Sequence, residues 1–244
     1  MSATHALEAS LVRALGAGAH ALPWRASLAA GAALGELARA PRGEALAEIR
    51  GVEHLERARS AGRGAVLLSG HFGNIELLGA ALGQLHPVDF VVRPLSNPGV
   101  EAWIAAQRAR AGLGSLSADT GTRAAYRALR DNRWVAMLAD QDARRHGVFV
   151  PFLGRPASTA LGPARIALAT GAPIIMGFGW RGADGRHTLE VDPPLDPGDP
   201  RDPRAAERLT ALHVARLEQR VRERPECWFW LHRRWKTAPP APPP

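Results

Sequence analysis

The chain has 244 residues, a hydrophobic fraction of 46% and a formal net charge of +8, which together indicate one larger globular domain whose surface attracts anions. Its single cysteine, Cys227, excludes an intrachain disulfide and a cysteine-cluster metal site. Nearly all of the positive charge is arginine, with Lys236 as the lone lysine, and no zinc-finger spacing or basic tail accompanies it. We therefore expect no nucleic-acid partner.

Residues 1–50 form a predicted N-terminal helical segment that is apolar and rich in small residues. Because His20, Pro23, Arg25 and Glu36 interrupt it, no run approaches the roughly 18 to 20 apolar residues that a spanning helix needs. The segment also lacks the basic start and strongly hydrophobic centre of a signal peptide. We expect one or two weakly amphipathic helices that either lie on a bilayer surface or pack on the core.

Beyond this segment, apolar strand candidates alternate with helical segments. Strands are predicted at 65–70, 88–93, 134–140 and 172–180. Helices are predicted on both sides of a turn within 44–64, from Ile75, and at 98–111, 122–129, 160–171 and 203–224. This alternation predicts an α/β fold with a mainly parallel central sheet flanked by helices.

Two proline-containing stretches lie in the last quarter of the chain. We expect an additional edge strand at 187–195, because its prolines oppose pairing in the middle of a sheet. The final residues, 238–244, are mostly proline and alanine and are predicted to be a disordered tail.

The stretch SGHFGNIELLG, residues 69–79, places His71 at a predicted strand-to-helix turn. Asn74 can cap the helix by accepting from the free amides of its first turn, where Glu76 then lies. That carboxylate can reach His71, fix its tautomer and leave the other nitrogen free to take a proton from a hydroxyl. The alternative is structural, with Glu76 serving the helix dipole and His71 acting as a packing residue.

Polar residues follow three of the predicted strands, namely His71 with Glu76, Arg93 with Asn97, and Asp140 with Gln141 and Asp142. Ligands in open α/β sheets bind beyond the carboxyl ends of the strands. The three groups therefore predict one site at this edge of the sheet, which favours the functional interpretation of His71.

Residues 50–237 contain, in order, the phrases GVEHLERARSAGRGAVLLSGHFGNIELLG, VVRPLSNPGVE, DQDARRHGVFVPFLGRPASTALGPARIALATGAPIIMGF and PECWFWLHRRWKT. These phrases resemble the bacterial lipid A biosynthesis lauroyl/myristoyl acyltransferases, within the lysophospholipid acyltransferase superfamily. The resemblance implies a catalytic domain over 51–237 with a glycerolipid acyltransferase-like fold. It also implies an enzyme that moves a fatty acyl chain from an acyl carrier protein or coenzyme A thioester to a hydroxyl of a lipid A precursor or related glycolipid. The resemblance further implies a peripheral protein at the cytoplasmic face of the bacterial inner membrane, with no cofactor and no metal.

The family's His-x4-acid pair, carried onto this chain, makes His71 the general base for the acceptor hydroxyl and Glu76 its orienting partner. Arg93 would bind phosphate or stabilise the thioester oxyanion, and its structural alternative is a salt bridge at a strand end. Asn97 is expected to cap the following helix, with a hydrogen bond to substrate as the alternative.

Three later segments of the chain are also similar to the family. Asp140 and Gln141 match an Asp-Gln pair, which implies a pocket floor that positions basic groups; no third ligand at useful spacing supports a divalent metal there. In VPFLGRPAST, apolar residues would line the acyl channel, while Arg155, Ser158 and Thr159 would contact an anionic headgroup. For Ser158 and Thr159 the alternative is helix capping. The run CWFWLHRRWK would either dock at a membrane interface or form a last strand in the core.

Two other functions are compatible with the same residues. One is a thioester or metal-assisted hydrolase that uses His71 and Glu76 on water, and the other is a non-catalytic peripheral lipid-binding protein of the same fold. A serine hydrolase is disfavoured, because the sequence has no Gly-x-Ser-x-Gly elbow.

Overall fold

The computed structural model describes residues 47–95, 97–118 and 121–240. The predicted N-terminal helices and residues 241–244 of the predicted tail lie outside the described residues. The α-helices are α1 (Val52–Ser60), α2 (Ile75–Gly83), α3 (Pro98–Arg110), α4 (Thr122–Arg130), α5 (Gly162–Thr170) and α6 (Ala205–Glu223). The strands are β1 (Glu48–Arg50), β2 (Ala65–Ser69), β3 (Val88–Val92), β4 (Leu113–Ser117), β5 (Trp134–Leu138), β6 (Val148–Phe152), β7 (Arg155–Thr159), β8 (Ile174–Arg181) and β9 (His187–Val191). Short 3-10 helices span Arg144–His146 and Pro225–Cys227.

Seven strands form the central sheet in the order β1, β9, β8, β2, β5, β3, β4. The five strands from β8 to β4 run parallel to one another. Strand β9 pairs antiparallel with β8, and β1 pairs parallel with β9. This sheet, with helices on its faces, confirms the predicted α/β fold. The remaining two strands, β6 and β7, form a separate antiparallel hairpin.

Helices cover the sheet on both sides, which explains why its central strands are continuously apolar. In β2, Val66 and Leu68 join the core under α4, α5 and α6. Their neighbours Ala65 and Leu67 point the other way and join the core under α1 and α2. A parallel strand that is buried on both faces requires such an unbroken apolar run rather than an alternating one.

Four features of the fold differ from the predicted ones. Glu48–Arg50 was predicted as a helix of the N-terminal segment, but these residues form β1, so the sheet begins before residue 51. The additional strand predicted within 187–195 is confirmed as β9, but its predicted position at the edge is wrong, because β1 pairs with β9 and forms that edge of the sheet. Strand β4 and the β6–β7 hairpin were not predicted. The reason in each case is that short or Gly- and Ser-containing strands are fixed by long-range pairing rather than by local propensity.

The order of the strands brings two polar segments together. Strands β2 and β5 are parallel neighbours, and Ser69 lies opposite Leu138 at their carboxyl ends. The chain segments that follow them, which carry His71 and Asp140, therefore leave the sheet side by side. The segment after α6 then crosses this edge, where Trp228 forms an antiparallel bridge with the turn after β2.

Candidate active site

The turn between β2 and α2 needs glycine at two positions. A Cβ on Gly70 would lie 3.0 Å from Asp140 Oδ2 and 2.8 Å from Leu217 Cδ1, so any side chain there would crowd that carboxylate. Gly73 has φ of +64°, and a Cβ on it would overlap the carbonyl oxygen of Gly179. Glycine tolerates both constraints. The Gly-His-x-Gly pattern thus allows the turn to approach Asp140 closely.

The ring of His71 is held by Asp140. Nδ1 of His71 lies 2.7 Å from Asp140 Oδ1, and the backbone amide of His71 donates to Asp140 Oδ2 at 2.7 Å. Trp228 adds a third bond, because its Nε1 donates to Asp140 Oδ2 at 2.9 Å. Asp140 is only 3% exposed, whereas the side chain of His71 is 30% exposed. Asp140 is therefore placed to orient the ring, and His71 is placed to meet a substrate.

Asp140 is charged in this setting. Burial opposes ionisation, but the hydrogen bonds from His71 and Trp228 outweigh it and hold the pKa of Asp140 below its usual value. An ionised carboxylate accepts from Nδ1–H, which leaves Nε2 of the neutral ring with a free lone pair. Within the described residues, Nε2 of His71 has no hydrogen-bond partner. The ring can therefore accept a proton from a group bound beside it.

Glu76 has a different partner. Its Oε2 accepts from Nε of Arg108 at 3.0 Å, and its Oε1 accepts from Nη2 of the same guanidinium. Both side chains are 12% exposed. The predicted pairing of His71 with Glu76 is therefore wrong. The physical reason is that the first turn of α2 brings Glu76 against α3, whereas the ring of His71 turns toward the end of β5.

A cleft of about 360 Å³ opens beside the ring of His71. Its walls are formed by the turn after β2 and by the segment after α6, and its lining residues are His71, Gly73, Ile75, Glu226, Cys227, Trp228 and Phe229. Backbone hydrogen bonds join the two walls, because Gly73 N donates to Cys227 O at 2.8 Å and Phe229 N donates to His71 O at 3.0 Å. The cleft is therefore a fixed feature of the fold and not a gap between independent loops.

Two predicted helix caps are confirmed. Asn74 Oδ1 accepts from Leu77 N at 3.1 Å at the start of α2. Asn97 Oδ1 accepts from Gly99 N at 3.0 Å at the start of α3, which is the capping role expected for it. The other polar residues predicted after these strands, Arg93 and Gln141, are exposed at the same edge of the sheet as His71.

Arg155 and Ser158 lie in the hairpin, and neither is part of the cleft lining. Ser158 is fully buried, its Oγ donates to the carbonyl of Arg144 at 2.5 Å, and its own carbonyl accepts from Arg234. Such burial rules out the predicted headgroup contact of Ser158 in this structure. Arg155 is exposed, with its guanidinium 5.1 Å from the ring centre of Trp235. The buried apolar side chains of the hairpin pack in the core with α6 and do not line the cleft, contrary to the expectation for VPFLGRPAST.

Two side chains that bind the carboxylates near His71 were not predicted from the sequence, namely Trp228, which donates to Asp140, and Arg108, which donates to Glu76. In the sequence nothing separates Trp228 from the other aromatic residues of the last segment, yet its Nε1 donates to Asp140 Oδ2. Arg108 was not singled out at all. Glu76 and Arg108 are 32 residues apart on neighbouring helices, and Trp228 follows Asp140 by 88 residues. Contacts between residues so far apart leave no local pattern in the sequence.

In 47–95, 97–118 and 121–240, no three His, Cys, Asp or Glu residues lie close enough together to hold a metal ion. No helix within those same ranges combines the length and the apolar content that crossing a bilayer requires.

Comparison with known proteins agrees with the geometry. The model of the family described as bacterial lipid A biosynthesis acyltransferase matches residues 9–237. A phosphatidylinositol mannoside acyltransferase of Mycobacterium tuberculosis is 32% identical over 195 residues, which are 77% of this chain and 59% of the relative. The lipid A biosynthesis lauroyltransferase of Escherichia coli K12 is 30% identical over 200 residues, or 79% of this chain and 62% of the relative.

A third relative, the lipid A biosynthesis palmitoleoyltransferase of the same Escherichia coli strain, is 28% identical over 196 residues, which are 79% of this chain and 62% of the relative. The chain thus spans 59 to 62% of the length of these curated relatives. Because the family model covers nearly the whole sequence, including the turn with His71 and the strand end with Asp140, the chain belongs to the bacterial lipid A biosynthesis acyltransferase family.

Proposed function

We propose that the protein transfers a fatty acyl chain from a thioester of acyl carrier protein or coenzyme A to a hydroxyl group of a glycolipid. The observation that carries this proposal is the ring of His71, which a buried ionised carboxylate holds through Nδ1 and which lines a cleft. Relatives named for lipid A and for phosphatidylinositol mannoside support a glycolipid as the acceptor. A lipid A precursor is our first candidate.

In the proposed mechanism, Nε2 of His71 takes the proton of the acceptor hydroxyl while the hydroxyl oxygen attacks the thioester carbonyl carbon. Asp140 stabilises the imidazolium that results, because its carboxylate accepts from Nδ1–H. The new ester C–O bond forms as the C–S bond breaks, and the departing thiolate takes the proton from the His71 imidazolium. No acyl-enzyme and no redox step is required.

The charge that develops on the thioester oxygen needs a positive environment. The amino end of α2 begins two residues after the cleft residue Gly73 and supplies the positive end of a helix dipole. We propose that Arg93 and Gln141, which are exposed at the same edge, contact the anionic parts of the substrates. Arginine is well suited to phosphate because its guanidinium binds two oxygens at once.

The acyl chain requires an apolar site that communicates with the cleft. An apolar cavity lies between α2 and the sheet, and its lining includes Leu67, Leu78, Gly79 and Met137. Ile75 lines both this cavity and the cleft beside His71. We propose that the acyl chain enters at Ile75 and that a few of its methylene groups occupy this cavity, whose volume is about 60 Å³. This assignment replaces the hairpin as the expected acyl site.

Acyl transfer to a lipid implies work at a membrane surface, and we propose the cytoplasmic face of the inner membrane, where acyl carrier protein and coenzyme A thioesters are made. Both donors are anionic, and the formal charge of this chain is +8. Charge complementarity therefore supports either donor and does not select one.

The proposal is tested with the full chain, a detergent-dispersed lipid A precursor and each acyl thioester in turn, with the product identified by mass spectrometry. We expect His71→Ala to lower ester formation by on the order of a hundredfold or more, the usual scale for a lost general base. His54→Ala is the matched control, because His54 lines a different cavity on α1. Ester formation by His71→Ala at the normal rate would refute the proposal.

The same assay separates transfer from hydrolysis. Transfer predicts that consumption of thioester depends on the acceptor and survives a chelator. Consumption without acceptor, with release of free fatty acid, would instead identify a thioester hydrolase. A lipid-binding protein without activity would consume no thioester under either condition.

A further inference from the structure

Three consecutive large apolar residues, Phe229, Trp230 and Leu231, are exposed next to the cleft; we call them the aromatic tip. Their exposed fractions are 45%, 50% and 85%. The tip is nevertheless rigidly held. Phe229 N donates to His71 O at 3.0 Å, and Trp230 Nε1 donates to Pro225 O at 2.7 Å. A contiguous apolar surface that the fold fixes in an exposed position indicates an interaction site.

The aromatic tip is continuous with the candidate active site. Phe229 lines the cleft, and its ring centre is 6.1 Å from that of His71. Trp230 packs edge-on against Trp228, the residue that donates to Asp140, with ring centres 4.7 Å apart. A partner that covers the tip would therefore also face the mouth of the cleft.

Exposed basic residues lie in the segment that follows the tip and in a second segment that is hydrogen-bonded to it. We call Arg144, Arg145, His146, Arg233 and Lys236 the basic cluster, and together with Thr237 they line one surface pocket. The two segments that carry the cluster are joined, because Asp142 N donates to His232 Nε2 at 2.9 Å and Thr237 Oγ1 donates to Asp142 Oδ1 at 2.8 Å. Arg233 follows Leu231 by two residues, so the basic cluster is next to the apolar tip along the chain, and we treat the two as one docking surface.

We propose that this surface docks on an anionic lipid bilayer, with Leu231 and Trp230 inserted at the interface and the basic cluster on the lipid phosphates. Tryptophan favours the headgroup level of a membrane, and arginine and lysine are attracted to anionic lipid. The orientation places the cleft at the bilayer surface, where a lipid acceptor arrives. This choice of a bilayer, and not an acidic carrier protein, rests on the proposed transfer to a lipid.

Flotation of the full chain with vesicles of equimolar phosphatidylglycerol and phosphatidylcholine tests the proposal. We expect Leu231→Glu to weaken vesicle binding by about tenfold or more, because a charge replaces the most exposed apolar residue of the tip. Its 85% exposure means that the substitution disturbs no packing. Leu85→Glu is the matched control, since Leu85 is 39% exposed in the turn before β3, at the opposite edge of the sheet.

The charge of the basic cluster is tested separately. Arg233→Gln combined with Lys236→Gln should weaken binding about fivefold per charge removed on the anionic vesicles. The same pair of changes should have no effect on vesicles of phosphatidylcholine alone. An equal loss on both kinds of vesicle would contradict a role for lipid charge.

Docking and catalysis fail in different ways. His71→Ala should bind vesicles as the unaltered protein does, and Leu231→Glu should keep transfer to an acceptor dispersed in detergent. Vesicle binding by Leu231→Glu at the normal level would overturn the docking proposal. A Leu231→Glu variant that binds vesicles normally but no longer binds acyl carrier protein would assign the tip to the carrier protein instead. Vesicle binding that needs the tip, in a protein that transfers no acyl chain, would overturn the proposed function and leave docking supported.

Discussion

The end of β5 and the junction between α2 and α3 each hold a carboxylate close to the turn that follows β2, yet only the first opens on a cleft. At the end of β5, Asp140 binds the ring of His71 through Nδ1, and the ring lines a cleft. At the junction, Glu76 and Arg108 bind each other and are both nearly enclosed. The difference teaches that the carboxylate nearest to His71 in sequence joins two helices, while the distant carboxylate orients the ring of His71.

The largest expected effect comes from Asp140→Asn. An amide in place of the carboxylate allows the wrong tautomer of His71 and cannot stabilise the imidazolium, so we expect turnover to fall on the order of a thousandfold. In steady-state assays of folded protein, Glu76→Gln should lose far less turnover. A larger loss for Glu76→Gln than for Asp140→Asn would reverse the assignment of the two carboxylates.

Glu76→Gln should instead affect stability. The change leaves the guanidinium of Arg108 without a counter-ion in a nearly enclosed position, and we expect the free energy of unfolding to fall by about 3 to 4 kcal/mol. Denaturant titration measures this loss. Adding Arg108→Met should recover part of it, because the unpaired charge is then removed. No recovery in the double variant would argue against the pair as the cause.

His213, on α6, extends the comparison to a histidine that is enclosed and without a carboxylate. Burial, together with the positive charge of Arg234, lowers the pKa of His213 to about 4 from the ordinary value of 6.5. The unfolded chain therefore binds this proton more readily than the folded chain, and stability falls as the pH is lowered from 6.5 to about 4. The expected total is about 3 kcal/mol.

The measurement for His213 is the free energy of unfolding as a function of pH for the unaltered protein and for His213→Leu. Only the unaltered protein should show the contribution of this group over that interval. Parallel curves for the two proteins would mean that His213 does not titrate as its surroundings imply.

The smallest effect is expected for Trp228→Phe, which removes one of the three hydrogen bonds to Asp140 and keeps an aromatic ring. A hydrogen bond to a charged group is worth roughly 1.5 to 3 kcal/mol, and we expect a loss of turnover of about tenfold with little change in the acceptor KM. Trp235→Phe is the control, because its Nε1 donates to Phe152 O instead. Equal losses in both variants would point to packing alone.

The sequence predicts well what depends on near neighbours. The buried strand, the turn with His71 and the cap at Asn74 are all predicted from the short run of residues 65–79, and the structure has each of them. The parallel sheet follows from the alternation of strands and helices. These features need only local hydrogen bonding and apolar periodicity.

What the sequence could not predict depends on the order of strands and on returns of the chain. That β5 lies beside β2, and hence that Asp140 meets His71, cannot be read from alternation alone. The sequence marks Asp140 only as a polar residue at a strand end, whereas proximity in sequence and the resemblance to the His-x4-acid pair both favour Glu76 as the partner of His71. Trp228 reaches Asp140 only because the last segment folds back across the sheet edge.

The central claim is that Asp140 sets the tautomer of His71 so that Nε2 can accept a proton. Nitrogen-15 NMR of histidine-labelled protein tests it most directly, at a pH where the imidazole is neutral. We predict the Nδ1–H tautomer for His71 in the unaltered protein and in Glu76→Gln, and its loss in Asp140→Asn. The Nε2–H tautomer in the unaltered protein, or an unchanged spectrum in Asp140→Asn, would contradict the account.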